Sequence, residues 1–251
     1  MRAADRLRQA DLLIWTDSLV CPAILDLAPP SCERIRTSHL TLEEVLPHLI
    51  KGQQSGRRVV RLHDGDTALY SAINEQICRL ADEDIPVEVI PGVSAYQAAS
   101  ASLASELTIP GVVQTIILSR TGGRTGVPDK EQLDHLAGIG ASLCLYLSAR
   151  HIESVQQTLL DHYPADTPVA IGYRVSWPDE WITVVPLSEM AQASRDRQLI
   201  RTTLYIVSPA LAGGTKRSRL YAPDHDHLFR PNRSGTVAVS YTHLTLPTSR
   251  S

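Results

Sequence analysis

Two apolar runs with an amphipathic stretch between them constrain this chain more than any other feature. Val59–Leu62 (VVRL) ends in the turn His63-Asp64-Gly65-Asp66, and a helix pattern follows from Leu69 to Asp84 with Ile73, Ile77, Leu80 and Ala81 on one face. A second run, Pro86–Ile90, ends in Pro91-Gly92-Val93-Ser94-Ala95. Strand, turn, helix, strand, turn is the layout of a parallel βαβ unit, since parallel neighbours need a crossover of helix length. Ligands of such sheets bind beyond the carboxyl ends of the strands. Both turns are therefore expected at a binding site.

The remaining pattern extends this to an α/β chain in two parts. Met1–Ala10 places Leu7 and Ala10 inward and leads into the strand Leu12–Trp15. Thr41 and Glu44 form a capping box for a helix carrying Val45, Leu46 and Leu49, which Pro47 is expected to kink or to start later. Ala95–Leu103, rich in Ala and Ser, suits a helix lying close against its sheet. Pro110-Gly111 marks a boundary. Beyond it come strand Thr115–Ser119, the Gly-rich loop Gly122–Pro128, helix Lys130–Ala137, strand Ser142–Leu147 and helix Ile152–Tyr163. Strands Val169–Tyr173, Trp181–Val185 and Thr203–Val207 follow, with connections short enough to predict antiparallel pairs. The expected units are 1–111 and 112–209, then a tail over 210–234. Residues 235–251 have no helical period, and SYTHLTLPT is similar to translated sequencing adapter, so this segment is expected to be non-native.

Bulk properties remove several function classes. A formal charge of −3 over 251 residues offers no reason to expect nucleic acid or an anionic membrane as partner. Cys21, Cys32, Cys78 and Cys144 form neither a CxxC pair nor a zinc spacing, which suits reduced thiols. No apolar run approaches the ~20 residues of a membrane span, and MRAADRLRQADLLIW lacks a secretory core, so a cytoplasmic protein is expected. Asp224-His225-Asp226-His227 alternates ligand types in a polar tail without a supporting cage, and no metal site is expected. A dinucleotide-dependent oxidoreductase is disfavoured because no G-x-G-x-x-G follows a strand.

Within the two turns, Asp66 follows a glycine at a strand end, where a carboxylate orients a ligand or holds its own turn. Ser94 and Ala95 open a helix after Pro-Gly, a position that suits a cap or backbone donors aimed at an anion. Arg174 in YRVSWPDE suits either a ligand carboxylate or an ion pair with Asp179 or Glu180.

These same residues carry a family resemblance. Arg61-Leu62-His63-Asp64-Gly65-Asp66-Thr67-Ala68-Leu69-Tyr70 resembles the R-L-x-x-G-D-P-x-x-Y turn of the tetrapyrrole methylases, with Thr67 in place of proline. Pro91-Gly92-Val93-Ser94-Ala95 resembles their second signature. Glu106-Leu107-Thr108-Ile109-Pro110 with Gln114-Thr115, and Tyr173–Glu180, are similar to the precorrin-4 C(11) branch, including its cobalt form. The resemblance runs from about Ala3 to Pro231. It implies a two-domain α/β enzyme, each domain a mixed sheet flanked by helices. It also implies a homodimer that methylates precorrin-4 or cobalt-precorrin-4 with S-adenosylmethionine during cobalamin synthesis.

The resemblance places Gly65, Asp66, Leu69, Tyr70, Ser94, Ala95, Leu147, Ser148, Tyr173, Thr203 and Leu204 at the cofactor and Arg174 at the substrate. It assigns no catalytic side chain, because an activated methyl donor asks mainly for alignment. His63 is a structural neighbour on this reading. The family also begins with a strand and a G-x-G-P-G-D loop that have no match here, so a poorly binding fragment stands as an alternative. Another tetrapyrrole methylase activity is a further alternative, opposed by YRVSWPDE and ELTIP.

Overall fold

The computed structural model describes residues 1–122 and 126–213, with Ala222, His225 and Arg230. The centre of the 122–128 loop, Asp224, Asp226, His227 and the whole of 235–251 lie outside the described residues. The elements are α1 (Arg2–Arg8), β1 (Leu12–Trp15), β2 (Glu33–Arg36), α2 (Leu42–Gln54), β3 (Val59–Leu62), α3 (Ile73–Ala81) and α4 (Ala95–Ser102). They are followed by β4 (Ile116–Arg120), α5 (Leu133–Ala137), β5 (Ser142–Tyr146), α6 (Ile152–Leu160), β6 (Pro168–Tyr173), β7 (Trp181–Pro186), α7 (Met190–Asp196) and β8 (Thr203–Val207).

The first sheet is parallel, in the order β2-β1-β3. All four residues of β1 are buried, as a central parallel strand covered on both faces requires. Alternation sends Leu13 and Trp15 to one side, against Leu7 of α1, Val20 and Leu25. Leu12 and Ile14 go to the other, against Val45, Leu46 and Leu49 of α2 and Leu80 of α3. Leu13→Ala at this fully enclosed position should cost about 3 kcal/mol. The α2 capping box forms as expected, with Glu44 accepting the Thr41 N–H at 2.7 Å. Pro47 neither ends nor delays α2. It lies on the exposed face, where the Glu43 carbonyl that loses its donor meets water.

Two expectations for this half are corrected, and one strand arises where none was expected. The strand β2, with sequence ERIR, has no apolar alternation and forms because β1 offers it a backbone ladder. The segment Pro86–Ile90 is not a strand: it makes no backbone hydrogen bonds among the described residues. Its Glu88 instead pairs with Arg6 of α1 at 2.8 Å, while Val87 and Val89 stay exposed. Helix α3 begins at Ile73 rather than Leu69, because Tyr70 and Ala72 adopt left-handed φ values of 54° and 49°.

The second sheet is mixed, in the order β4-β5-β8-β6-β7, with β4 and β5 parallel and the later pairs antiparallel as expected. One face, with Leu143, Leu145, Val169, Ile171 and Tyr205, packs on α5, α6 and α7. The other face carries Cys144, Ala170, Leu204 and Ile206 and is covered by α4 through Ala99, with Leu107 beside it. Helix α4 follows the first sheet in sequence yet packs on the second. Its small side chains permit that approach, and its N-terminus lands where the two halves meet.

Candidate active site

One carboxylate organises the turn after β3. Asp66 Oδ1 accepts the Ala68 N–H at 2.8 Å and Oδ2 accepts the Gly92 N–H at 2.8 Å. The side chain thus folds its own turn and ties it to the turn before α4. Gly65 has φ +56°, a left-handed conformation that glycine adopts without penalty. At Gly92 the requirement is contact: a Cβ there would stand 1.9 Å from the Gly65 carbonyl oxygen. The two turns cross backbone on backbone.

Past Asp66 the chain is strained. Leu69, half-buried, closes the turn by donating its N–H to the Asp66 carbonyl at 3.1 Å. Tyr70, left-handed and 45% exposed, lays its ring 5.6 Å from that of Tyr146. Left-handed non-glycine residues cost on the order of 1 kcal/mol each and gather at functional sites.

The α4 terminus completes this side. Ser94 is its N-cap residue, with its N–H held by Gln97 Oε1 at 3.0 Å. The buried Ser94 hydroxyl lies 2.6 Å from the Tyr146 hydroxyl, which also accepts the Tyr96 N–H at 3.2 Å. The Ala95 N–H has no hydrogen-bond partner among the described residues.

The second sheet contributes the end of β5. Leu147 follows Tyr146 at φ 54° and is 65% exposed, an apolar side chain held out to solvent by a strained backbone. Ser148 is fully buried, donates to the Tyr146 carbonyl at 2.8 Å and accepts the Thr121 N–H at 3.3 Å. Its hydroxyl joins the ends of β4 and β5 and faces protein. Tyr173 pairs with Thr203 at the same end of the sheet, and Leu204 lies on the α4 face with Tyr146. Tyr173 points to the opposite face, and the Thr203 hydroxyl donates to the Arg201 carbonyl at 3.0 Å. The structure therefore gathers Gly65, Asp66, Tyr70, Ser94, Ala95 and Leu147 around Tyr146, with Leu204 behind them. Ser148, Tyr173 and Thr203 sit nearby with their side chains directed elsewhere.

Of the two readings of Arg174, the structure forms the ion pair. Its guanidinium bonds Asp179 and stacks 5.3 Å from the Tyr173 ring and 4.8 Å from the Trp177 ring. Arg61 turns inward, donating to the Ile14 carbonyl at 3.2 Å and Thr16 Oγ1 at 3.1 Å, and burial lowers its pKa to about 10. Burial, reinforced by the Arg61 charge, pushes His63 down to about 4, so it is neutral at pH 7. Tyr146 is the residue that sequence reasoning missed. Its signal was a phenol directly after the apolar run Leu143-Cys144-Leu145 at the strand's end.

The family model for tetrapyrrole (corrin/porphyrin) methylases matches residues 1–191. The chain is 39% identical to a precorrin-4 C(11)-methyltransferase of Pseudomonas aeruginosa over 226 residues, 90% of each chain. It is 38% identical to a cobalt-precorrin-4 C(11)-methyltransferase of Methanocaldococcus jannaschii over 232 residues, 92% of this chain and 90% of that one. Among solved structures, a cobalt precorrin-4 methyltransferase superposes with a TM-score of 0.81 at 34% identity, covering 84% of this chain and 89% of the other. A uroporphyrin-III C-methyltransferase from Thermus thermophilus gives a TM-score of 0.68 at 25% identity, covering 84% and 88%.

Proposed function

This chain belongs to the tetrapyrrole (corrin/porphyrin) methylases, and from that premise we propose that it methylates C-11 of precorrin-4, with or without cobalt, in cobalamin synthesis. The methyl donor is S-adenosylmethionine, whose sulfonium supplies an electrophilic methyl group when bound. The observation that carries the reading is the crossing of the Gly65 and Gly92 turns, linked through Ser94 and Tyr146 to the strand end that carries the exposed, left-handed Leu147. A backbone cradle without Cβ atoms on one side and an apolar side chain on the other suit an adenosine-bearing ligand.

The residues have separable tasks on this reading. Asp66 keeps the cradle rigid, so its contribution is alignment rather than proton transfer. Gly65 and Gly92 let backbone approach the ligand. Ala95 N–H is a donor for a ligand carboxylate at the α4 terminus. Leu147, Tyr70 and Leu204 exclude water from the ligand's apolar faces. Ser148, Tyr173 and Thr203 support the sheet end on which these stand. Arg174 meets a substrate carboxylate only by sharing or exchanging Asp179.

Residues 1–111 and 112–209 are read as two units, bridged by α4. No helix among the described residues is long and apolar enough to cross a membrane. A homodimer is expected, and light scattering at twice 27.5 kDa checks it. The direct test is incubation with methyl-labelled S-adenosylmethionine and each form of precorrin-4. Label at C-11 of the macrocycle supports the proposal. Methyl-donor binding without label in either macrocycle overturns the substrate assignment.

A further inference from the structure

Tyr146 lies on the second sheet, yet among the described residues its hydroxyl bonds only to the chain that leaves the first. Its hydroxyl is 2.6 Å from Ser94 Oγ and accepts the Tyr96 N–H at 3.2 Å, while its ring packs beside Tyr70. A helix terminus leaves its first amides without intrahelical partners, and this hydroxyl satisfies one of them. The next residue is the exposed Leu147, and two residues before Ser94 is Gly92, bonded to Asp66.

From this placement we propose that Tyr146 is a positioning residue. Its hydroxyl pins the α4 terminus to the end of β5 and fixes the separation between the Gly65–Gly92 crossing and Leu147. The inference rests on the reading of that space as the methyl-donor site. A tyrosine whose only role was to fill the core would need its ring there. The ring packs with Ala99 and Ile206 in any case, so removing the oxygen alone separates the two roles.

Tyr146→Phe retains the ring and removes the pin. One lost hydrogen bond at an ordered site corresponds to a change of about tenfold. The expected result is a rise of about tenfold in the KM and Kd for S-adenosylmethionine, with kcat within about twofold and the melting temperature within a few degrees of wild type. Ser94→Ala removes the same bond from the other side and should show the same split. The double variant should lose less than the sum of the two single losses, because the bond they share is deleted only once.

Wild-type affinity in Tyr146→Phe and Ser94→Ala would overturn the pin while leaving the methyl-donor site standing. Additive losses in the double variant would also overturn it, since the two groups would then act independently. Failure of the wild-type chain itself to bind S-adenosylmethionine is the separate result that removes the site. If Tyr146→Phe does not fold, Ser94→Ala and its hydrogen exchange over residues 91–97 decide the matter. Unchanged protection there refutes the pin.

Discussion

Replacing Gly92 by alanine should be far more damaging than a one-carbon change normally is. Where the backbone tolerates it, Gly→Ala stabilises by ~0.4–1 kcal/mol, because the unfolded chain loses freedom. At Gly92 the added carbon would stand 1.9 Å from the Gly65 carbonyl oxygen and 3.0 Å from its carbonyl carbon. A carbon–oxygen contact needs ~3.3 Å, so the turns must part by about 1.4 Å, and the obstacle is backbone, which has no rotamer to change. That displacement stretches the Gly92 N–H to Asp66 bond of 2.8 Å.

A charge-assisted bond is worth ~1.5–3 kcal/mol and overpacking costs ~1–3 kcal/mol. Solvent reaches this turn, which favours the lower ends, and after the gain from the unfolded chain a net loss of about 2 kcal/mol follows. Urea unfolding of Gly92→Ala measures it, with Gly126→Ala as control, since a Cβ there meets nothing within 4 Å. Calorimetric titration with S-adenosylmethionine should show binding lost in the first variant and kept in the control. A Gly92→Ala protein with wild-type affinity and less than ~0.5 kcal/mol of destabilisation would show that the crossing is slack and that the cradle argument fails.

Asp66→Asn keeps one accepting oxygen but turns an amide donor toward the other backbone N–H, and should weaken methyl-donor binding less than Asp66→Ala, which loses both acceptors; equal effects would show that the carboxylate does not hold the turns. Ser142→Ala should cost about 2 kcal/mol in urea unfolding, because the buried hydroxyl donates to the Leu107 carbonyl at 2.7 Å and neighbours Ser208 Oγ at 2.6 Å. His63 binds its proton near pH ~6.5 when unfolded but only near 4 when folded. The unfolded state therefore holds more protons in that window, and stability present at neutral pH is lost as pH falls from ~6.5 through 4. His63→Gln should flatten that part of the pH profile, and an unchanged slope would remove His63 from the account. Amides of β3 should exchange much faster than those of β8, which is laddered on both sides.

What the sequence disclosed was whatever depends on local pattern. Apolar alternation located β5, β6, β7 and β8 within a residue or so, and Thr41 with Glu44 located the start of α2. Both site turns were visible because Gly65-Asp66 and Pro91-Gly92 are turn chemistry after apolar runs. The failures are all cases in which a partner decides. Segment 86–90 has strand composition but no ladder, and ERIR has a ladder but no strand composition. The packing of α4 on the second sheet is long-range and leaves no local mark. Tyr146 escaped notice for the same reason, because its partners, Ser94 and Tyr96, lie 52 and 50 residues away.

The two edges of the first sheet differ in a way that matters outside the folded monomer. β2 presents Glu33, Arg34 and Arg36 along its side, charges that discourage another chain from pairing there. β3 is Val59, Val60 and Leu62 with its one charge, Arg61, turned inward to the Ile14 carbonyl, and Val87 and Val89 of the 86–90 segment are exposed. Concentration, heating or incomplete folding will therefore drive self-association through β3 rather than β2. Lysine introduced at the exposed Val87 is the change that should raise the soluble yield.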